Sequence, residues 1–145
     1  MIRYLLALLL LLLLLVAMSC RAQPLPPPPE ATVKAPLATP WLEARERGID
    51  FRAVGQEPGW FLEIDHERSI RLVWDYLERE ATMPAVRPVT TEGRTTYSAS
   101  NGTQRLNVAI DDRPCNDIMS GNPYPNTVIV TIDGRELRGC GRVLD

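Results

Sequence analysis

Beyond residue 50 the chain alternates apolar and polar positions. In GWFLEID, Trp60, Leu62 and Ile64 fall on one side of an extended backbone, with Glu63 and Asp65 on the other. Asp65 to Arg68 form a polar turn, after which Ile70, Leu72 and Trp74 resume the same period. FRAV reads as a short strand before them. DYLERE reads as the ragged end of a strand, too short to hold as an isolated helix. Asn101-Gly102 separates two further alternating runs, a strong hairpin signal, and a two-residue loop there sets Tyr97 opposite Leu106. Leu106, Val108 and Ile110 form the buried side of the returning strand. Asp133-Gly134 repeats the device and brings Val128, Val130 and Ile132 back onto Leu137. The pattern predicts an all-β domain over residues 41–145: a small antiparallel barrel or sandwich of about seven to eight strands. Each sheet has one buried and one wet face. One short helix precedes it, with Thr39 as N-cap, Pro40 in first position and Gly48 at the end.

The N-terminal third has a different pattern. Arg3, a leucine run and small residues before Cys20 have the layout of a secretory signal peptide over residues 1–19. Ala17-Met18-Ser19-Cys20 is similar to a bacterial lipobox, which would make Cys20 the acylated N-terminus and the point of membrane attachment. Lipoproteins of that kind use aspartate after the cysteine for inner-membrane retention; Arg21 stands there, which favours the outer membrane. Residues 20–40 are proline-rich, with four consecutive prolines at 26–29, and suit a stiff tether that lifts a domain off the membrane. A formal charge of −2 with no basic cluster argues against a nucleic-acid partner.

Export bears on the cysteines. With Cys20 taken by the lipid, Cys115 and Cys140 remain as a pair in an oxidising compartment, and a disulfide is the default reading. A redox-active or metal-binding pair is the alternative, without a C-x-x-C motif and with His66 as the only histidine. Pro114 opens the dense stretch CNDIMSGNPYPN, in which a single helical turn ending at Gly121 fits. Read as a corner, this stretch has Asp117 capping backbone amides while Ile118 and Met119 plug the barrel end. Read as a contact surface, it offers Asp117, Ser120, Gly121, Asn122 and Tyr124, the last held between two prolines. Glu57, in the turn GQEPGW, is an exposed turn residue or a buried carboxylate accepting amides, and Trp60 beside it is a core residue. His66 lies in a charged turn and reads as solvated. Asp111, Asp112 and Asp117 cluster loosely but lack EF-hand spacing, and no base accompanies Ser120. The expectation is a non-catalytic protein without metal or cofactor.

The segments FRAVGQEPGW and CNDIMSGNPYPNTVIVTIDGRELRGCG, with the leader, carry a resemblance. They resemble a family of small bacterial envelope lipoproteins whose members have a G-x-E-P-x-W motif, then C-x-D-x-M-S-G-x-x-Y, then a final G-C-G. The resemblance spans nearly the whole domain; it implies export and pairing of Cys115 with Cys140, and it assigns no reaction. Ser120, Gly121 and Tyr124 are also similar to the S-G-x-x-Y loop of membrane-bound inhibitors of c-type lysozyme. That likeness implies a loop entering a cleft with two carboxyls, aided by a basic residue. The only lysine is Lys34, in the tether, so Arg135 or Arg138 would substitute. The expected function is a tethered β-domain binding an envelope protein or small ligand, with lysozyme inhibition through Ser120–Tyr124 as the alternative.

Overall fold

The computed structural model describes residues 39–144. The expected signal peptide, Cys20 and the expected tether up to residue 38 lie outside the described residues. A helix, α1 (Thr39–Glu46), opens the domain and ends at Gly48, whose φ of 83° reverses the chain. Then come β1 (Phe51–Gly55), β2 (Trp60–Asp65), β3 (Ser69–Trp74), β4 (Arg79–Pro84), β5 (Val89–Thr91), β6 (Arg94–Ser100) and β7 (Arg105–Asp111). Two short strands, β8 (Cys115–Asn116) and β9 (Pro123–Tyr124), precede β10 (Asn126–Ile132) and β11 (Arg135–Val143).

Nine of these strands form one antiparallel sheet, in the order β4-β3-β2-β1-β11-β10-β7-β6-β5, and β8 pairs with β9 as a separate ribbon. The sheet curls into a half-barrel. Its concave side buries Trp60, Leu62, Ile64, Ile70, Leu72, Trp74, Tyr97, Leu106, Val108, Val128, Val130 and Leu137 in one core. These are the inward positions expected from the period of two, because a strand half covered by its own sheet sorts side chains by parity. The two flanks approach without pairing. His66 Nε2 meets the Tyr97 hydroxyl at 2.8 Å, and the Asn101 amide donates to the Thr82 carbonyl at 3.4 Å. Among the described residues, no helix is long and apolar enough to cross a membrane.

Three local expectations need correction. The Asn101-Gly102 hairpin pairs Ser100 with Arg105 and Tyr97 with Val108, so its loop has four residues. The Asn101 side chain accepts from the amides of Thr103 and Gln104, at 3.1 and 2.9 Å, and this local cap favours the longer loop. A two-residue slip preserves parity, so Leu106 stays buried. The outer face is not wholly wet: Glu63 and Asp65 are buried beneath arginines, Glu63 by Arg47, Arg52 and Arg71, and Asp65 by Arg68. Finally, DYLERE is a turn followed by a strand, with Asp75, Tyr76 and Leu77 all left-handed at φ of 53°, 56° and 72°.

The Asp133-Gly134 hairpin matches its expectation. Both residues have positive φ, 49° and 86°, as a two-residue turn matched to strand twist requires, and Val130 faces Leu137.

Candidate functional site

The two segments richest in turn residues meet on the outer face of the sheet. Cys115 and Cys140 are bonded, with Cα atoms 5.5 Å apart. Cys140 pairs with Thr127 in the register, on the parity opposite to the core residues Val128 and Leu137. The disulfide therefore draws β8 and its loop over the outer side of β10 and β11.

The loop is set by its own polar groups. The Asp117 carboxylate accepts the Ser120 amide at 3.1 Å and also the Ser120 hydroxyl. The Gly121 amide donates to the Asp117 carbonyl at 2.8 Å, and the Asp117 amide donates to the Asn122 carbonyl at 3.0 Å. Burial pushes the Asp117 carboxyl up, but donors from Ser120, Gln56 and the Met119 amide outweigh it and hold the group below the ordinary aspartate range. Asp117 is thus the cap expected of a corner. Ile118 and Met119 do not plug the barrel end. They are 81% and 70% exposed, because the cap tightens the turn 118–120 and points it away from the sheet.

Tyr124 and Ser120 are less free than the contact-surface reading supposed. The Tyr124 ring lies 5.1 Å from that of Trp41, with the Arg142 guanidinium 5.3 Å above it. Burial, then the Asp117 carboxylate, raise the Tyr124 phenol above its ordinary range, against Arg142 and Arg52. Trp41, Ala44 and Leu144 form a second small core there, by which α1 clamps the loop to the sheet. Ser120 Oγ also receives the Asn122 amide, at 3.2 Å, while the Gly121 and Asn122 residues themselves stay exposed.

Between this loop and the turn before β2 is a cleft of about 420 Å³. Gln56 and Glu57 wall one side and Asn116, Asp117 and Ile118 the other; Thr127, Ile129, Glu136 and Arg138 lie beneath. Glu57 is exposed and accepts the Tyr76 hydroxyl at 3.3 Å, which settles its position as a turn residue. That contact, and the Tyr76 amide donating to the Gly59 carbonyl at 3.0 Å, fasten the left-handed turn to the cleft wall. Asp75 of the same turn is paired by Arg135 at 2.8 Å, so the β10–β11 hairpin holds it from the other side. Arg138 pairs with Glu136 at 2.6 Å. Both arginines considered as stand-ins for lysine are therefore already engaged.

Under the cleft, the glycines of both motifs serve one purpose. Gly55 is opposite Trp60 across β1–β2, and Gly139 follows next to it on β11. A Cβ on Gly139 would come within 2.7 Å of the Trp60 ring and closer still to the Val54 carbonyl oxygen; on Gly55 it would meet the Arg138 carbonyl at 2.5 Å. The Trp60 indole lies flat on a floor that only glycine leaves open. The G-x-E-P-x-W and G-C-G motifs are two halves of one packing unit, and the cleft lies over it.

Other candidates are placed elsewhere. His66 is half exposed, with Nδ1 3.2 Å from Asp50, its amide donating to the same carboxylate at 2.7 Å, and Nε2 on Tyr97. It fastens the half-barrel flanks while its side chain stays half in solvent, as a turn residue would. Asp111 is occupied by Arg94 and Arg113, at 2.7 and 2.8 Å, which hold its carboxyl far below the usual range. Among the described residues no group of three His, Cys, Asp or Glu side chains is placed to hold a metal ion. The cleft residues missed by sequence reasoning, Thr127, Ile129 and Glu136, are, like Arg138, which entered it only as a stand-in for lysine, the outward complement of the core positions. Alternation implied their orientation, but only the disulfide places a loop over them. No family model, curated protein or solved structure matches the chain.

Proposed function

We propose that this chain is a non-catalytic binding lipoprotein of the bacterial envelope, anchored through Cys20, which takes a ligand or protein partner in the cleft between Glu57 and Asp117. The observation that carries this reading is convergence. Two segments some sixty residues apart, each dense in turn residues, wall one cavity whose volume lies in the range of ligand sites. The disulfide, the Asp117 cap and the Trp41–Tyr124 contact fix one wall, and the Trp60 packing unit fixes the floor. Such rigidity lowers the ordering cost of binding. Ser120 acts in this account as a structural hydroxyl on Asp117, which agrees with a binding rather than a nucleophilic role.

Inhibition of a c-type lysozyme through Ser120–Tyr124 ranks second. Its hydroxyl is committed to Asp117 and its tyrosine to Trp41, so the loop would have to open to present them. The test is partner capture from envelope extract with the full chain, set against Ile129→Trp, which fills the cleft, and Thr103→Trp, on the distant exposed hairpin. The reading expects capture by the parent and Thr103→Trp chains and its loss with Ile129→Trp. Equal capture by all three would refute it.

A further inference from the structure

Resting on that reading, we infer that the occupant of the cleft is a protein segment carrying an arginine or lysine side chain flanked by apolar residues. Two features of the surface point to it. The first is charge. Glu57, Asp117 and Glu136 border the cavity against the single guanidinium of Arg138, and Arg138 is already paired with Glu136. A cation entering the cavity finds two carboxylates not matched by any lining base. An anion would enter against them.

The second feature is the rim. Six large hydrophobic residues are exposed among the described residues; Ile118 lines this cleft, Met119 follows it in the loop, and Tyr76, with Leu77 next to it in the chain, reaches Glu57 of the opposite wall. Ile118 and Met119 crown the loop on one side, at 81% and 70% exposure. Tyr76 and Leu77, at 66% and 68%, crown the turn whose tyrosine touches Glu57 on the other. Methionine adapts its flexible chain to a partner surface, and methionine and tyrosine are both enriched where proteins meet. A small molecule confined to the cavity would touch Ile118 alone of these four and leave the other three in water. A peptide or protein segment can place its cation between them and cover both sides at once. An acidic pocket with an apolar rim therefore selects a macromolecular, basic and partly apolar partner.

The test uses the full chain in detergent, labelled at isoleucine and methionine methyls, titrated with acetyl-Leu-Ile-Arg-Ile-Leu-amide and with its citrulline analogue, equal in shape but neutral. The arginine peptide should move the Ile118, Met119 and Ile129 methyl signals and bind about tenfold more tightly than the citrulline peptide, the scale of one charge-assisted hydrogen bond. The preference should vanish in the double variant Glu57→Gln, Glu136→Gln, which removes one unmatched carboxylate and frees Arg138 to offset the charge of Asp117. Equal binding of both peptides at those methyls would overturn the cationic inference while leaving the cleft a binding site. Shifts confined to other methyls, or none, would also overturn it; the Ile129→Trp capture experiment then reports on the cleft independently.

Discussion

Replacing Gly139 by alanine should be among the most damaging single-methyl changes this domain can receive. The new Cβ would stand 2.7 Å from the Trp60 ring and 2.8 Å from the Val54 carbonyl carbon, with the Val54 oxygen nearer still. Carbon atoms rest at about 3.5–4.0 Å, so these neighbours must retreat by about an ångström. One is backbone in the strand paired with β11, at the register Val54↔Cys140 beside the disulfide, and cannot swing aside. The other is an indole buried to 4% exposure in a filled core. Overpacking costs ~1–3 kcal/mol where side chains can yield; with backbone in the way, about 3 kcal/mol is the fair expectation. In a domain of this size that lowers the melting temperature by roughly 12–24 °C. Gly102→Ala is the control. Its Cβ meets nothing within 4 Å, so only the cost of its φ of 93° remains, about 1 kcal/mol. Urea titration followed by circular dichroism, with both variants beside the parent, measures the difference. A Gly139→Ala loss no larger than that of Gly102→Ala would show that Trp60 does not depend on a glycine floor.

Further expectations concern the staple, the acid limb and the strained turn. The double variant Cys115→Ser, Cys140→Ser frees a loop with a sequence separation of 25, for which chain entropy gives about 3–4 kcal/mol. Unchanged urea midpoints in the double variant would contradict the staple. Asp65, Asp111 and Asp117 all have carboxyls lowered in the folded state, so their contribution is complete above the unfolded value of about 4 and is lost as pH falls through the folded ones. Stability should hold from pH 7 to about 5 and fall below about 4, with a shallower fall in Asp111→Asn; a parent curve flat to pH 2 would refute this. Leu77→Gly relieves a left-handed residue that makes few contacts and should stabilise the fold by roughly 0.5–1 kcal/mol, yet weaken partner capture. Stabilisation with undiminished capture would remove Leu77 from the contact surface.

Much of the frame was legible in the chain because parity is a local signal. Trp60, Leu62, Leu106, Val108 and Val130 each face inward as their period requires, and Asp133-Gly134 admits little besides a tight hairpin. What failed was long-range or competitive. The Asn101 side chain outbid the Asn-Gly turn signal through bonds to Thr103 and Gln104. Glu63 and Asp65 follow the polar parity, but the arginines that bury them come from the turn after α1, from β1 and β3, and from the β2–β3 turn. Nothing in Asp75-Tyr76-Leu77 announces three left-handed residues; the turn is imposed by Arg135 and by Gly59 across the sheet. The candidate loop was visible by its composition, yet its most exposed apolar groups are Ile118 and Met119, while Tyr124 turns inward to Trp41. The cleft itself arises from β1, β8, β10 and β11 together and has no signature in any one of them.

The most direct test of the account places a photo-crosslinking amino acid at Thr127, within the cleft, and separately at Thr103, on the exposed hairpin. Irradiating cells that carry each chain, followed by denaturing electrophoresis, shows whether the cleft is occupied in its own environment. The account predicts a discrete crosslinked species from Thr127, absent from Thr103 and abolished by Glu57→Gln with Glu136→Gln. Only free chain at Thr127, or the same species from both positions, would contradict it.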